Sequence, residues 1–143
     1  MENLKLKMID FTGKSKDVVS ERDMIFSFNN GEIKIYLSYV TGELKKIEIV
    51  SENEKIEKEI GMEAVLKFKG NSVILDYEYG LYEYVEIEIE DKMKRYWVDG
   101  KTVYLKEGKK IFLEVEIWEG YLLFFDDECR MAGFGTEFKN RKE

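Results

Sequence analysis

Apolar and polar residues alternate with a period of two along most of the chain, a pattern typical of β-strands with one buried face. The clearest example surrounds Asn30-Gly31, a dipeptide that favours a tight hairpin because both central residues of such a turn need positive φ. Turn and pattern agree here, so we predict a hairpin with a defined register. Its paired positions are Phe28 with Ile33, Phe26 with Ile35, and Met24 with Leu37.

Two further dipeptides predict two-residue hairpin turns, Asp99-Gly100 and Glu119-Gly120. The first turn pairs Val98 with Lys101 and Tyr96 with Val103, and its reverse face carries Met93, Arg95, Trp97 and Tyr104. The second turn places five apolar residues on one face: Leu113, Val115, Ile117, Leu122 and Phe124.

The turn around Gly80 needs a longer loop. A two-residue loop would put apolar and acidic residues on the same face, whereas a three-residue loop over 79–81 restores the alternation. We therefore predict a fourth hairpin, with a three-residue loop, in which Leu75 lies opposite Val85 and Val73 opposite Ile87.

Together these patterns predict one all-β domain over residues 1–143, an antiparallel meander of about eight to ten strands in a barrel or strongly curved sheet. Strand 82–90 would pair with 93–98, and strand 101–106 with 111–118. One short helix is expected over 52–60, because Ser51 and Glu54 form a capping box. The tail 139–143 should fray. The expected core contains Phe26, Phe28, Ile33, Ile35, Leu37, Val73, Leu75, Val85, Ile87, Val98, Val103, Val115, Ile117 and Phe124.

Composition narrows the available chemistry. The 143 residues are 44% hydrophobic, which suits a single domain with a sizeable core. Histidine is absent, so Ser-His and Cys-His nucleophile pairs and His-containing zinc sites are excluded. Cys129 is the only cysteine, and the chain shows neither a signal-peptide pattern at Met1-Glu2-Asn3 nor an apolar run of membrane-spanning length. We therefore expect a cytoplasmic protein without membrane association.

The negative charge is concentrated in two segments. The net charge is −7, and residues 71–90 and 111–128 each contain six carboxylates and no Lys or Arg. Between them, residues 91–110 hold seven Lys or Arg and three carboxylates. The two acidic hairpins predict a partner-binding surface with embedded aromatic anchors. Its members are Asp76, Glu78, Tyr82, Tyr84, Glu86, Glu88, Glu114, Glu116, Trp118 and Tyr121.

A plainer interpretation of these charges stays open. In the predicted meander, Lys92, Lys94, Arg95 and Lys101 could lie across from the carboxylates and neutralise them as cross-strand pairs. The acidic strands would then be only a solvated face that keeps the domain soluble.

No motif assigns catalysis or metal binding to particular residues. Asp126-Asp127-Glu128 supplies the oxygen ligands that Mg²⁺ and Ca²⁺ prefer, but consecutive strand residues point to opposite faces and the spaced loop of a calcium site is missing. Cys129 has no base to activate it, and the carboxylates single out no acid/base pair. We predict no catalytic residue, no metal and no cofactor. The pI of about 4.9 argues against direct nucleic-acid binding.

We infer a non-catalytic binding protein that presents its acidic surface to a basic protein partner, such as a nuclease or another nucleic-acid-binding protein. This small, acidic, β-rich profile is similar to that of toxin-immunity proteins and phage-encoded nuclease inhibitors, in composition and not in any motif. Two alternatives are a β-barrel that binds a small molecule and a hydrolase based on Asp or Glu. The partner's identity and the oligomeric state are left open by the sequence.

Overall fold

The structure, a computed structural model, describes residues 4–12, 23–50, 64, 66–77, 86–90, 92–98, 101–108, 110–118 and 120–136. Within these ranges there is no helix, and hence none long and apolar enough to cross a membrane. The predicted helix over 52–60 and the tail 139–143 lie outside them. The described strands are β1 Leu4–Asp10, β2 Asp23–Phe28, β3 Ile33–Ser38, β4 Leu44–Ile49, β5 Leu66–Lys69, β6 Ser72–Tyr77, β7 Glu86–Glu88, β8 Met93–Val98, β9 Lys101–Lys106, β10 Leu113–Ile117, β11 Tyr121–Phe125 and β12 Met131–Thr136.

These strands form three sheets, which confirms the predicted all-β class. A two-stranded sheet contains β1 and β6, a four-stranded sheet has the order β4-β3-β2-β7, and a six-stranded sheet has the order β5-β10-β11-β12-β9-β8. None of the three closes into a barrel over the described residues. Most neighbours are antiparallel, but β7 runs parallel to β2 and β5 parallel to β10. The architecture is therefore not a simple meander.

Isolated bridges connect the sheets to one another. Glu43, just before β4, forms a bridge with Ile74 of β6, and Leu75 donates its N–H to the Gly42 carbonyl at 2.9 Å. On the other side, Lys5 of β1 forms a bridge with Arg130, which precedes β12. The two-stranded sheet thus spans the gap between the other two.

The hairpin of β2 and β3 has the predicted register. Phe28 lies opposite Ile33, Phe26 opposite Ile35, and Met24 opposite Leu37. Asn30 and Gly31 have φ values of 57° and 88°, as the turn requires. The hairpin of β8 and β9 is likewise confirmed, with Val98 opposite Lys101 and Tyr96 opposite Val103.

The predicted turn between β10 and β11 is wrong by one residue. Ile117 pairs with Tyr121, so the loop has three residues, and its first residue, Trp118, adopts a φ of 52°. The inner face of β10 therefore meets Tyr121, Leu123 and Phe125 instead of Leu122 and Phe124. Both faces of β11 are apolar, so alternation could not separate the two registers.

The predicted hairpin around Gly80 is also wrong, and its loop lies outside the described residues. Val73 and Leu75 pair with Ile9 and Leu6 of β1, and Ile87 pairs with Phe26 of β2. In the same way, β9 pairs with β12 and not with 111–118. Alternation indicates which side of a strand is buried, and distant segments supplied the actual neighbours.

Two apolar clusters fill the fold. The main core receives side chains from all three sheets, including Leu4, Phe26, Leu75 and Phe125. The second cluster covers the opposite face of the six-stranded sheet and contains Val98, Val103, Leu105, Leu122 and Phe124. Of the predicted core residues, Ile87 is half-buried, Val85 lies outside the described residues, and all the others are buried.

Candidate functional site

The predicted acidic and aromatic surface is distributed over three sheets. Asp76 lies on β6, Glu86 and Glu88 lie on the edge strand β7, and Glu114 and Glu116 lie on β10 in the six-stranded sheet. That these strands form one continuous surface stays a prediction. Three of its proposed members lie outside the described residues: Glu78, Tyr82 and Tyr84.

The structure brings two predicted members into direct contact, Trp118 and Tyr121. Their ring centroids are 5.4 Å apart and their planes meet at 75°, which is an edge-to-face arrangement. Both side chains are half-buried and pack against the main core. The positive φ of Trp118 is unfavourable for a residue with a Cβ, so surrounding contacts must hold this turn in place. The result is a fixed, partly exposed aromatic pair.

Glu114 and Glu116 have lysine neighbours that the sequence interpretation did not anticipate. In the parallel pairing of β5 with β10, Lys67 lies beside Glu114 and Lys69 beside Glu116. Register partners share one face of a sheet, so acidic and basic side chains alternate across these two strands. These mixed charges lie on the face of the six-stranded sheet that carries Leu122 and Phe124, whereas Tyr121 lies on the opposite face as the register partner of Ile117.

The outer face of the four-stranded sheet is also mixed in charge. The Lys34 Nζ lies 3.7 Å from a Glu86 carboxylate oxygen, and Lys46 Nζ lies 4.7 Å from the centroid of the Tyr36 ring. The Tyr36 hydroxyl donates a hydrogen bond to Glu48 Oε1 at 2.7 Å. This hydrogen bond, burial and the negative charge of Glu48 raise the pKa of Tyr36 to about 12.

The two strands of the basic hairpin, β8 and β9, pair with each other. The register partners of Lys94, Arg95 and Lys101 are Leu105, Tyr104 and Val98, and none of these is a carboxylate. The Lys94 Nζ lies 3.6 Å from a Glu107 oxygen, just beyond β9. The predicted pairing of 82–90 with 93–98 is wrong for the described part of the first segment, since β7 pairs with β2. Among the described residues, Lys5 lies opposite Asp76, Lys34 lies near Glu86, and Lys67 and Lys69 lie beside Glu114 and Glu116.

The acidic run at 126–128 closes the turn that leads into β12. Asp126 Oδ1 accepts the backbone N–H groups of Glu128 and Arg130, each at 2.9 Å, and Oδ2 lies 3.1 Å from Arg130 Nε. Its side chain is almost fully buried. Over the described residues no group of three His, Cys, Asp or Glu side chains could hold a metal ion. The structure thus gives Asp126 a role in the fold.

Sequence reasoning missed one feature, a cavity of about 130 Å³ between the two-stranded sheet and the turn that links β3 to β4. The only sequence signal was the Thr41-Gly42 turn, and nothing in the pattern placed it beside β1 and β6. The cavity is lined by Met8, Asp10, Thr41, Glu43 and Ile74.

Comparison with known proteins gives no family for this chain. No protein-family model matches it, and no curated protein sequence is significantly similar to it.

Proposed function

We propose that the protein is a non-catalytic, cytoplasmic binding protein that engages a basic protein partner, such as a nuclease or another nucleic-acid-binding protein. The observation that carries this proposal is the contact between Trp118 and Tyr121 at the end of a strand that bears Glu114 and Glu116. Aromatic residues that are already held in place lose little conformational freedom on binding, and they dominate the energetics of many interfaces.

Charge supplies a second line of support. The chain carries 30 carboxylates against 23 Lys and Arg, and half-buried Glu114 and Glu116 lie in the strand that leads to the aromatic pair. A local excess of carboxylates accelerates encounter with a basic protein and disfavours acidic ones, even where the carboxylates and the aromatic anchors lie on different faces of one sheet. Since Lys67 and Lys69 border the same strand, we expect electrostatics to set the association rate and orientation, while the aromatic pair sets the lifetime of the complex.

The two other functions inferred from the sequence have no specific observation in their favour. An interior ligand site needs a closed barrel with an empty centre, whereas the described sheets are open and large side chains such as Phe26, Phe125 and Phe134 fill the main core. A hydrolase based on Asp or Glu needs a distinguished pair of carboxylates, and no observation on the described residues singles one out.

The test is capture from a lysate of the native host with four forms of the protein as bait: wild type, Trp118→Ala, the double variant Glu86→Lys/Glu88→Lys, and the control Tyr39→Ala. Tyr39 is an exposed aromatic residue in the β3–β4 turn, outside the predicted surface. Circular dichroism of each bait verifies folding. We expect one basic protein on the wild-type and control baits, and less of it on the other two.

Kinetics with the captured protein separate the two contributions. Trp118→Ala should mainly speed dissociation, whereas charge reversal at Glu86 and Glu88 should mainly slow association and reduce its salt dependence. Capture of the same proteins by all four baits, or an acidic partner, would contradict the proposed function. If Trp118→Ala weakens binding and the double variant does not, β7 is not part of the binding surface.

A further inference from the structure

The outer edge of β5 presents backbone groups that no other described strand uses. β5 is a terminal strand of the six-stranded sheet, and among the described strands it pairs with β10 alone. Leu66, and Gly70 just after the strand, each donate an N–H group at 2.9 Å to a carbonyl on the β10 side. Alternate residues of a strand direct their N–H and C=O groups to opposite sides, so Lys67 and Lys69 direct theirs away from β10.

Apolar side chains are exposed beside this edge. Leu66 and Phe68 are register partners of the buried residues Leu113 and Val115, yet 44% and 42% of their own surface is exposed. Phe11, which is 56% exposed, contacts Phe68 edge to face, with 6.3 Å between the ring centroids. Exposed apolar residues next to an open strand edge are typical of a site where a further strand adds to a sheet.

The other face of β5 decides which strand can add there. Lys67 and Lys69 are both exposed and lie on this face. A second copy of β5, added antiparallel around Phe68, would place Lys67 of one copy opposite Lys69 of the other. Like charges directly opposite each other destabilise a pair of strands, and edge lysines protect sheets against such self-pairing. The lysines therefore disfavour pairing between two copies of β5.

An acidic residue on the added strand is favoured instead. Neighbouring strands lie about 4.8 Å apart, so this residue would lie beside Lys67 or Lys69, whereas Glu114 and Glu116 would be about twice as far away on the other side of β5. The attraction to the nearer charge exceeds the repulsion from the more distant one. Each lysine would then lie between two carboxylates.

We propose that the outer edge of β5 binds an extended segment of another protein, with alternating acidic and apolar residues, as an added antiparallel strand. Its acidic residues lie opposite Lys67 and Lys69 and exchange backbone N–H···O=C hydrogen bonds with them. The apolar residue between them lies opposite Phe68, on the face where Phe68 contacts Phe11. Backbone bonds supply affinity for any extended chain, and the alternating side chains supply the preference for this sequence pattern.

This inference goes beyond the proposed function and does not depend on it. The proposed function concerns a basic partner and the aromatic pair Trp118 and Tyr121, whereas this site uses the opposite edge of β5 and an acidic segment. The test below needs only the purified full chain and synthetic peptides, so its failure would leave the capture experiment unaffected.

Amide hydrogen exchange tests whether the edge is open in the free protein. We expect the N–H of Phe68, which faces β10, to exchange more slowly than the N–H groups of Lys67 and Lys69. Slow exchange of all three would show that the outer edge is already paired, and this result would overturn the inference.

Synthetic peptides test the chemistry of the added strand, with the NMR amide signals of Lys67 and Lys69 as the readout. We expect a peptide of alternating Glu and Val to shift both signals in a saturable way. A peptide of alternating Lys and Val should bind more weakly by about fivefold or more. Equal binding of the two peptides, or no shift with the acidic one, would contradict the proposed site.

N-methylation of the acidic peptide separates strand addition from simple charge attraction. Methylation of the Glu nitrogens removes the N–H groups that face β5 in the antiparallel arrangement, so binding should be lost. Methylation of the Val nitrogens affects only the far edge of the added strand and should leave the affinity unchanged. If both methylated peptides bind alike, no antiparallel strand is added.

The lysines are tested by the double variant Lys67→Gln/Lys69→Gln, which should weaken binding of the acidic peptide by about threefold to tenfold. The matched control is Lys45→Gln/Lys46→Gln, which removes the same charge from exposed positions of β4 and should leave the affinity unchanged. Equal effects of the two double variants would show attraction by net charge alone. Sedimentation of the free chain as a dimer that the peptide dissociates would make a second copy the occupant and overturn the inference.

Discussion

Asn29 and Met93 exchange two hydrogen bonds across 64 positions of sequence. The Asn29 Nδ2 donates to the Met93 carbonyl at 2.9 Å, and the Met93 N–H donates to Asn29 Oδ1 at the same distance. The side-chain amide of Asn29 thus makes with the Met93 backbone the two hydrogen bonds that a residue of a neighbouring strand would make. It ties the tip of the β2–β3 hairpin to the first residue of β8, and so links the four-stranded sheet to the six-stranded one.

Replacement of Asn29 should therefore destabilise the fold. Asn29→Ala removes both hydrogen bonds and leaves Ala at a φ of 55°, so we expect the free energy of unfolding to fall by about 2–4 kcal/mol. Asn29→Gly removes the same bonds without the backbone penalty and should cost about 1 kcal/mol less. Urea denaturation measures both. Equal stability of wild type and Asn29→Gly would show that the pair of bonds contributes nothing.

Gly133 of β12 is expected to tolerate no side chain. A Cβ atom there would collide with the Tyr104 carbonyl oxygen on the neighbouring strand and lie 2.8 Å from Leu105 Cδ2. Gly133→Ala should lower the free energy of unfolding by about 2–4 kcal/mol through overpacking. The control is Gly108→Ala, since Gly108 has a φ of +79° and open space around it, and should cost only about 1 kcal/mol. Thermal unfolding of both variants distinguishes collision from backbone strain, and similar losses would contradict this account.

Tyr36 should titrate with a pKa of about 12, against an ordinary value of 10.0. The folded protein holds the phenol proton more tightly than the unfolded chain does. Its contribution to stability is therefore complete below pH 10 and is lost as the pH rises towards 12. The ring-carbon NMR signal of Tyr36 reports the titration.

Glu48→Gln should lower the pKa of Tyr36, because the hydrogen bond to Glu48 is the largest cause of its increase. Glu88→Gln is the control, since Glu88 is not among the groups that raise this pKa. An unchanged titration in Glu48→Gln would refute the assignment.

Asp126 is expected to be the most sensitive carboxylate of the turn before β12. Asp126→Ala leaves the N–H groups of Glu128 and Arg130 without their acceptor, and we expect a loss of about 2–4 kcal/mol in the free energy of unfolding. Asp127 is exposed, so Asp127→Ala should change stability by less than about 0.5 kcal/mol. Chemical denaturation tests both, and equal effects would show that the buried hydrogen bonds are not what stabilises this turn.

The local sequence pattern predicted the parts of the fold in which the turn residues and the burial of one strand face agree on a single strand register. Asn30 and Gly31 fix the turn, and only one register then buries Phe26 and Ile35 together. At β11 four consecutive residues, 122–125, are apolar and buried, so a shift by one residue exchanges one buried face for the other. The alternation of apolar and polar residues therefore could not distinguish a three-residue turn beginning at Trp118 from a two-residue turn.

The candidate site could be predicted only in part for a related reason. Glu114 and Glu116 were identified as surface carboxylates, but their lysine neighbours come from β5, more than 40 positions earlier in the chain. Likewise, β7 lies next to β2 and not next to the strand that follows it. Sequence spacing carries information about turns of two or three residues, and none about which distant strands become neighbours.

The bridge between Lys5 and Arg130 bears on how the chain folds as it is synthesised. One edge of β1 can pair with β6 once residue 77 has left the ribosome, but the other edge receives its bridge, and the hydrogen bond from Leu6 to the Cys129 carbonyl, only about 50 residues later. At about 5–20 residues per second, that interval lasts on the order of 3–10 s. During it, β1 has an edge without hydrogen-bond partners that is open to other nascent chains and to chaperones.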